Sequence, residues 1–163
     1  MTCLHCDNDA RKESGLCSEC EAQEQQKING ILYLPALGII LSLIIAPFSL
    51  YEIINAMVIH FKNTGFLGYY ALALVFFLIA MFALEIFAAI SFFQRKKRTR
   101  NVMVAYYLFS ALLVGYMTLL PAYLFNVKLD IGDIRAIASS VFGIVVWIPY
   151  FLLSKRVPLV FNR

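Results

Sequence analysis

Four long apolar runs separated by short polar ones organise the chain from residue 31 onward. A helix needs about 20 mostly apolar residues to cross about 30 Å of hydrocarbon at about 1.5 Å per residue. The runs 31–50, 66–93, 102–126 and 134–154 each meet that length, and Glu85 is the single charge within the second. Their apolar positions are continuous rather than alternating, which predicts helices and not barrel strands. Ahead of them lies a cysteine-bearing stretch, 1–20, and then a polar one, 21–30. The segment Glu21-Ala22-Gln23-Glu24-Gln25-Gln26-Lys27 favours helix while offering no apolar face, so a solvated helical stalk is expected there. The expected fold is an all-α membrane protein: a small head (1–20), a polar stalk (21–30) and a four-helix transmembrane domain (31–163).

Two features of the apolar runs leave alternatives open. Beyond the first span, Glu52 and Asn55 fall on one face among apolar neighbours up to Phe61. Residues 51–61 are then either a short helix lying in the interface or the end of a longer, tilted first helix. Prolines at 35, 47, 121 and 149 fall inside the spans, where they can kink a helix but are common for packing reasons. The small-residue pairs Ala111/Gly115 and Ser139/Gly143 suggest close approach of the third and fourth helices.

Composition removes the soluble class. Hydrophobic residues make up 61% and charged residues 15%, against roughly 45–50% and about 25% in soluble domains. The charges are also segregated. Residues 1–29 hold six acids and three bases, a net −3, and residues 30–163 hold four acids and eleven bases, a net +7. The opening residues lack the basic stretch and apolar core of a cleavable signal peptide, so none is expected. Arg95, Lys96, Lys97, Arg98 and Arg100 crowd the second connection, and Lys155 and Arg156 follow the last span, whereas the other two connections are nearly neutral. Basic short loops stay on the cytoplasmic side. Both termini are therefore expected in the cytoplasm, with the bilayer as the body's solvent. Trp147 and Tyr150, just before Lys155 and Arg156, fit an interfacial aromatic belt.

All four cysteines form one pattern, Cys3-x2-Cys6, ten residues, then Cys17-x2-Cys20. Two such knuckles supply the four thiolates of a tetrahedral structural Zn2+ site, and a complete shell leaves no position for water or substrate. Disulfides are disfavoured on a reducing side. Gly15 offers the backbone freedom a knuckle turn needs. With Leu4 and Leu16 as its only large aliphatics, the head would take its folding energy from the metal. Its net negative charge disfavours nucleic acid as a partner.

Glu85 carries the remaining chemistry. A charge at mid-span costs about 2.5–3.5 kcal/mol on insertion scales, so it normally faces protein or a wet cavity. Counting from the basic connection puts Ser110 at its depth and Tyr107 one turn nearer the connection. A Glu85 hydrogen bond to Ser110 or Tyr107 is expected, serving either as an interhelical clamp or as a proton or cation relay.

Three stretches together resemble the bacterial membrane-protein family known as domain of unknown function 2569. They are Gly30-Ile31-Leu32-Tyr33-Leu34-Pro35-Ala36-Leu37-Gly38, Phe92-Phe93-Gln94-Arg95-Lys96-Lys97, and Val146-Trp147-Ile148-Pro149-Tyr150-Phe151-Leu152-Leu153-Ser154-Lys155-Arg156-Val157. The resemblance covers about residues 28–163. It implies a four-helix protein of the bacterial cytoplasmic (inner) membrane and no particular activity. The cysteine head lies outside it, and Pro158-Leu159-Val160-Phe161 departs from the more polar family pattern.

No nucleophile–base pair, phosphate loop or His/Asp metal cluster is present in the sequence, so an enzyme is not expected. The favoured expectation is an interaction or regulatory protein whose zinc head docks a cytoplasmic protein. The alternative is a small transporter or channel subunit using Glu85, for which four helices would require a homo-oligomer.

Overall fold

The computed structural model describes residues 2–6, 8–9, 14–25, 27–28 and 30–162. The chain is 79% helical, and no strand is found among the described residues; Thr2 and Asp9 form one isolated antiparallel bridge. Helix α1 (Ser18–Gln25) starts inside the second cysteine knuckle. It stops short of the membrane body: Lys27 and Ile28 lie in a bend, and Gly30 takes a left-handed φ of +59° to open a 3-10 turn, Gly30–Leu32. The expected stalk over 21–30 is thus not one continuous helix: α1 ends at Gln25, the chain bends at Lys27 and Ile28, and Gly30 redirects it into the first span; residues 26 and 29 lie outside the described residues.

The body is built from α2 (Tyr33–Thr64), α3 (Tyr69–Phe93), α4 (Thr99–Phe125), α5 (Ile131–Phe142), a π-helical turn (Gly143–Trp147), α6 (Ile148–Leu153) and α7 (Val157–Val160). α5, the π turn and α6 run on as one span, giving four helices long and apolar enough to cross a membrane. At most 22% of the most apolar stretch of each is buried. Phe48, Phe76, Leu124 and Val145 all stand exposed on the outside, a surface that hydrocarbon accepts and water does not.

Residues 51–61 continue α2 without a break, which resolves the open choice in favour of a long first helix. Its 32 residues extend about 48 Å, beyond the hydrocarbon thickness unless the helix tilts. Gly65 ends it in the left-handed conformation (φ +67°), its N–H donating to the Phe61 carbonyl at 2.8 Å. α5 starts at a reciprocal capping box: Asp133 N–H donates to Asp130 Oδ1 at 2.8 Å, and Asp130 N–H to Asp133 Oδ2 at 3.0 Å.

Sequential helices pack as neighbours, α2 on α3, α3 on α4, and α4 on α5 and α6. The densest core forms at the bundle end that holds the 94–98 turn and the C-terminus. There Phe92 meets Phe161 (ring centroids 5.0 Å), among Leu32, Ile39, Met103, Phe151 and Val157, all at most 1% exposed. The α3–α4 turn is closed by Thr99, whose hydroxyl donates to the Ser91 carbonyl at 2.7 Å, and by Arg95 at φ +54°. At the opposite end, Tyr70 and Tyr116 stack 5.0 Å apart, 7° from parallel.

Candidate functional site

The head brings its four thiols together. Cys3 and Cys6 come from the first knuckle and Cys17 and Cys20 from the second, where Gly15 (φ +66°) turns the chain beside Leu4. All four sulfurs lie within 4.8 Å of one another, with Cys6–Cys17 at 3.4 Å and Cys6–Cys20 at 3.7 Å. All are free thiols. A tetrahedron with metal–sulfur bonds of about 2.3 Å has sulfur–sulfur edges of about 3.8 Å, so the donor set fits a metal ion of that size. Backbone N–H groups point at the sulfurs as well, Cys17 N–H to Cys3 Sγ at 3.2 Å and Cys20 N–H to Cys17 Sγ at 3.4 Å.

Crowding splits the acidities. The Cys3 thiol is brought down to about 6, first by the His5 backbone N–H and then by that of Cys17. Cys20 is pushed up to about 12 by the neighbouring sulfurs of Cys17 and Cys6. Four thiolates cannot share this volume on their own; a divalent cation held by Cys3, Cys6, Cys17 and Cys20 would supply the charge that lets them. His5 is exposed and lies outside the four-ligand cluster.

Glu85 is 5% exposed on the inner face of α3, in line with Met81, Ala88, Ala89 and Phe92. The structure does not pair it with Ser110 or Tyr107. Those two line a separate cavity of about 380 Å³ with Ser139, Ser140 and Gly143. Depth counting placed all three groups at a comparable level, but residues 106 and 107 are about 100° apart around α4. Tyr107 therefore packs on Gly143 of the fourth span, while Tyr106, which also lines that cavity, turns its hydroxyl toward α2. The polar group beside the carboxyl is Ser42 of α2, which the Tyr106 hydroxyl also reaches at 3.4 Å. Ser42 and Tyr106 were missed because hydropathy averages over single polar positions. Their trace in the sequence is that Ser42 and Ser49 sit seven apart in an apolar run and so share a face.

Trp147 is likewise corrected. It is 8% exposed and belongs to the core, edge-on to Tyr150 at 5.9 Å, rather than standing in a lipid-facing belt. It shares one buried cluster with Phe151, Val157, Val160 and Phe161; Tyr150 is half-buried. Of the small-residue pairs, Gly143 makes the close approach: a Cβ there would lie 3.1 Å from the Tyr107 ring, whereas one at Gly115 would meet nothing within 4 Å.

The basic residues cluster at one end. Lys97 and Arg100 share a groove of about 260 Å³ with Val157, Pro158 and Phe161, and Arg156 reaches toward Gly30. Arg98 lies over the Phe87 ring at 4.5 Å. Lys96 and Lys155 belong to the turns that carry this charge.

Four membrane-length helices behind a four-thiol cluster define a small multi-pass membrane protein with an N-terminal candidate metal site. The chain belongs to the family described as protein of unknown function DUF2569, whose model matches residues 25–162. The four cysteines precede the matched region, so the head is an addition to the family's body. No curated protein and no solved structure was found to match the chain.

Proposed function

We propose that this is a multi-pass protein of the bacterial cytoplasmic membrane whose head holds a structural Zn2+ and docks a cytoplasmic protein partner, without catalysing a reaction itself. Cys3, Cys6, Cys17 and Cys20 would hold the ion, which would cross-link two knuckles that have almost no apolar core. The observation that carries the reading is the four-sulfur cluster, close enough to complete a metal shell. A filled thiolate shell favours structure over catalysis, and a small rigid head set before a four-helix body is suited to presenting a surface. The concentration of Arg95, Lys96, Lys97, Arg98 and Arg100 in the second connection supports cytoplasmic placement of both termini.

Crosslinking from native membranes tests the docking. The full chain, a chain lacking residues 1–20 and a chain with all four cysteines changed to serine are compared. The docking reading expects one protein captured by the full chain and lost from both variants. Equal capture by all three would remove it.

A further inference from the structure

Glu85 lines a cavity of about 430 Å³ between α2, α3 and α4. Its Oε2 is buried and has no hydrogen-bond partner. Ser42 has one hydroxyl proton, and that hydroxyl already donates to the Ile39 carbonyl at 3.0 Å. The Tyr106 hydroxyl is in turn directed at Ser42. The cavity lining contains no Lys, Arg or His. An acceptor left unpaired in apolar surroundings is unfavourable until a donor reaches it, and no side chain of the lining donates to Oε2, which leaves that position open to a donor from outside.

The rest of the lining says what else that donor carries. Apart from Glu85, Ser42 and Ser49, the walls are apolar, with Ile45, Leu78, Met81, Phe82, Leu113 and Met117 among them. A volume of this size lies within the roughly 300–1,000 Å³ of small-molecule sites. One acidic acceptor on an otherwise hydrocarbon wall selects a ligand with a single donating, cationic end and an apolar remainder. We propose that this cavity binds a lipophilic primary amine, its ammonium N–H on Glu85 Oε2 and its hydrocarbon against α2, α3 and α4. Binding here requires neither a docked head nor transport, so it is independent of the function proposed above.

The test uses the full chain in neutral phospholipid nanodiscs, with radiolabelled decylammonium in equilibrium dialysis and empty nanodiscs as the partition control. One saturable site per chain is expected. Decanol, which lacks the charge, and decyltrimethylammonium, which lacks the N–H, should compete at least about tenfold less well. Glu85→Gln should weaken binding by a similar factor. Ala46 is also part of the wall, and Ala46→Phe, which fills the cavity and keeps the carboxyl, should abolish it. Uptake no greater than in empty nanodiscs, or saturable binding unchanged in Ala46→Phe, would overturn the proposal.

Discussion

Tyr70 and Tyr116 are bound to each other twice: the Tyr70 hydroxyl donates to the Tyr116 carbonyl at 3.3 Å and the Tyr116 hydroxyl to the Tyr70 carbonyl at 3.0 Å. Each ring is thereby held flat on the other while its far end closes onto the opposite backbone. This clamps α3 to α4 at the end away from the main core. Interhelical hydrogen bonds within membranes average about 0.6 kcal/mol. Tyr70→Phe and Tyr116→Phe, which keep the stacked rings, should each lower stability by about that amount. Thermal melting in one detergent, as a double-mutant cycle, should show coupling between the two losses; strict additivity would mean the two bonds are independent.

Removing the metal should unfold the head and spare the body. Purified protein is expected to carry one zinc per chain by atomic emission, and to lose it with Cys17→Ser or Cys20→Ser. Metal binding supplies about 10–16 kcal/mol in comparable peptides. A chelator should therefore collapse the amide spectrum of residues 2–20 while the far-UV helical signal of the four spans persists. A head spectrum indifferent to the chelator would contradict the site.

The C-terminal segment should behave as core and not as tail. Phe161 is 3% exposed, and Val157 and Val160 are 1% exposed; Phe161 packs on Phe92 and Phe151. Phe161→Ala should cost about 3–5 kcal/mol. Removing residues 157–163 should cost more, seen as a lowered melting temperature and faster proteolysis. A truncated chain as stable as the full one would rule this out.

Two glycines should respond in opposite directions. Gly115 has open space around its missing Cβ, so Gly115→Ala should be neutral or stabilise by up to about 1 kcal/mol through helix propensity. Gly143→Val meets the Tyr107 ring and should destabilise by about 1–3 kcal/mol. Side-by-side melts of the two variants check the contrast.

Much of this architecture could be read from the chain before its coordinates. Uninterrupted apolar runs defined the four spans, because only length and continuity matter for crossing hydrocarbon. The two Cys-x2-Cys knuckles foretold the thiol cluster, because that spacing itself makes the turn. What escaped was azimuth. Counting residues gave Glu85 its depth but not its heading, so Ser110 and Tyr107 were favoured over Ser42 and Tyr106. The course of α2 past Leu50 was undetermined for another reason: Glu52, Asn55 and His60 suit a helix end leaving the membrane as well as one lying along it. Trp147 was misplaced because its surroundings are completed by Val157, Val160 and Phe161, which return to the bundle from beyond the last span.

The fourth span also carries a register offset. A π turn takes in one residue more than an α turn, so the residues after Gly143–Trp147 are displaced by about 100° from the face an uninterrupted helix would give them. Straightening that turn into α-helix at unchanged length would swing Phe151 off Phe161 and expose it to acyl chains, whereas excising a single residue would straighten it and leave Phe151 in place. Homologous chains one residue shorter there would therefore present the same downstream face, and an alignment that hides the gap would pair inward residues with outward ones.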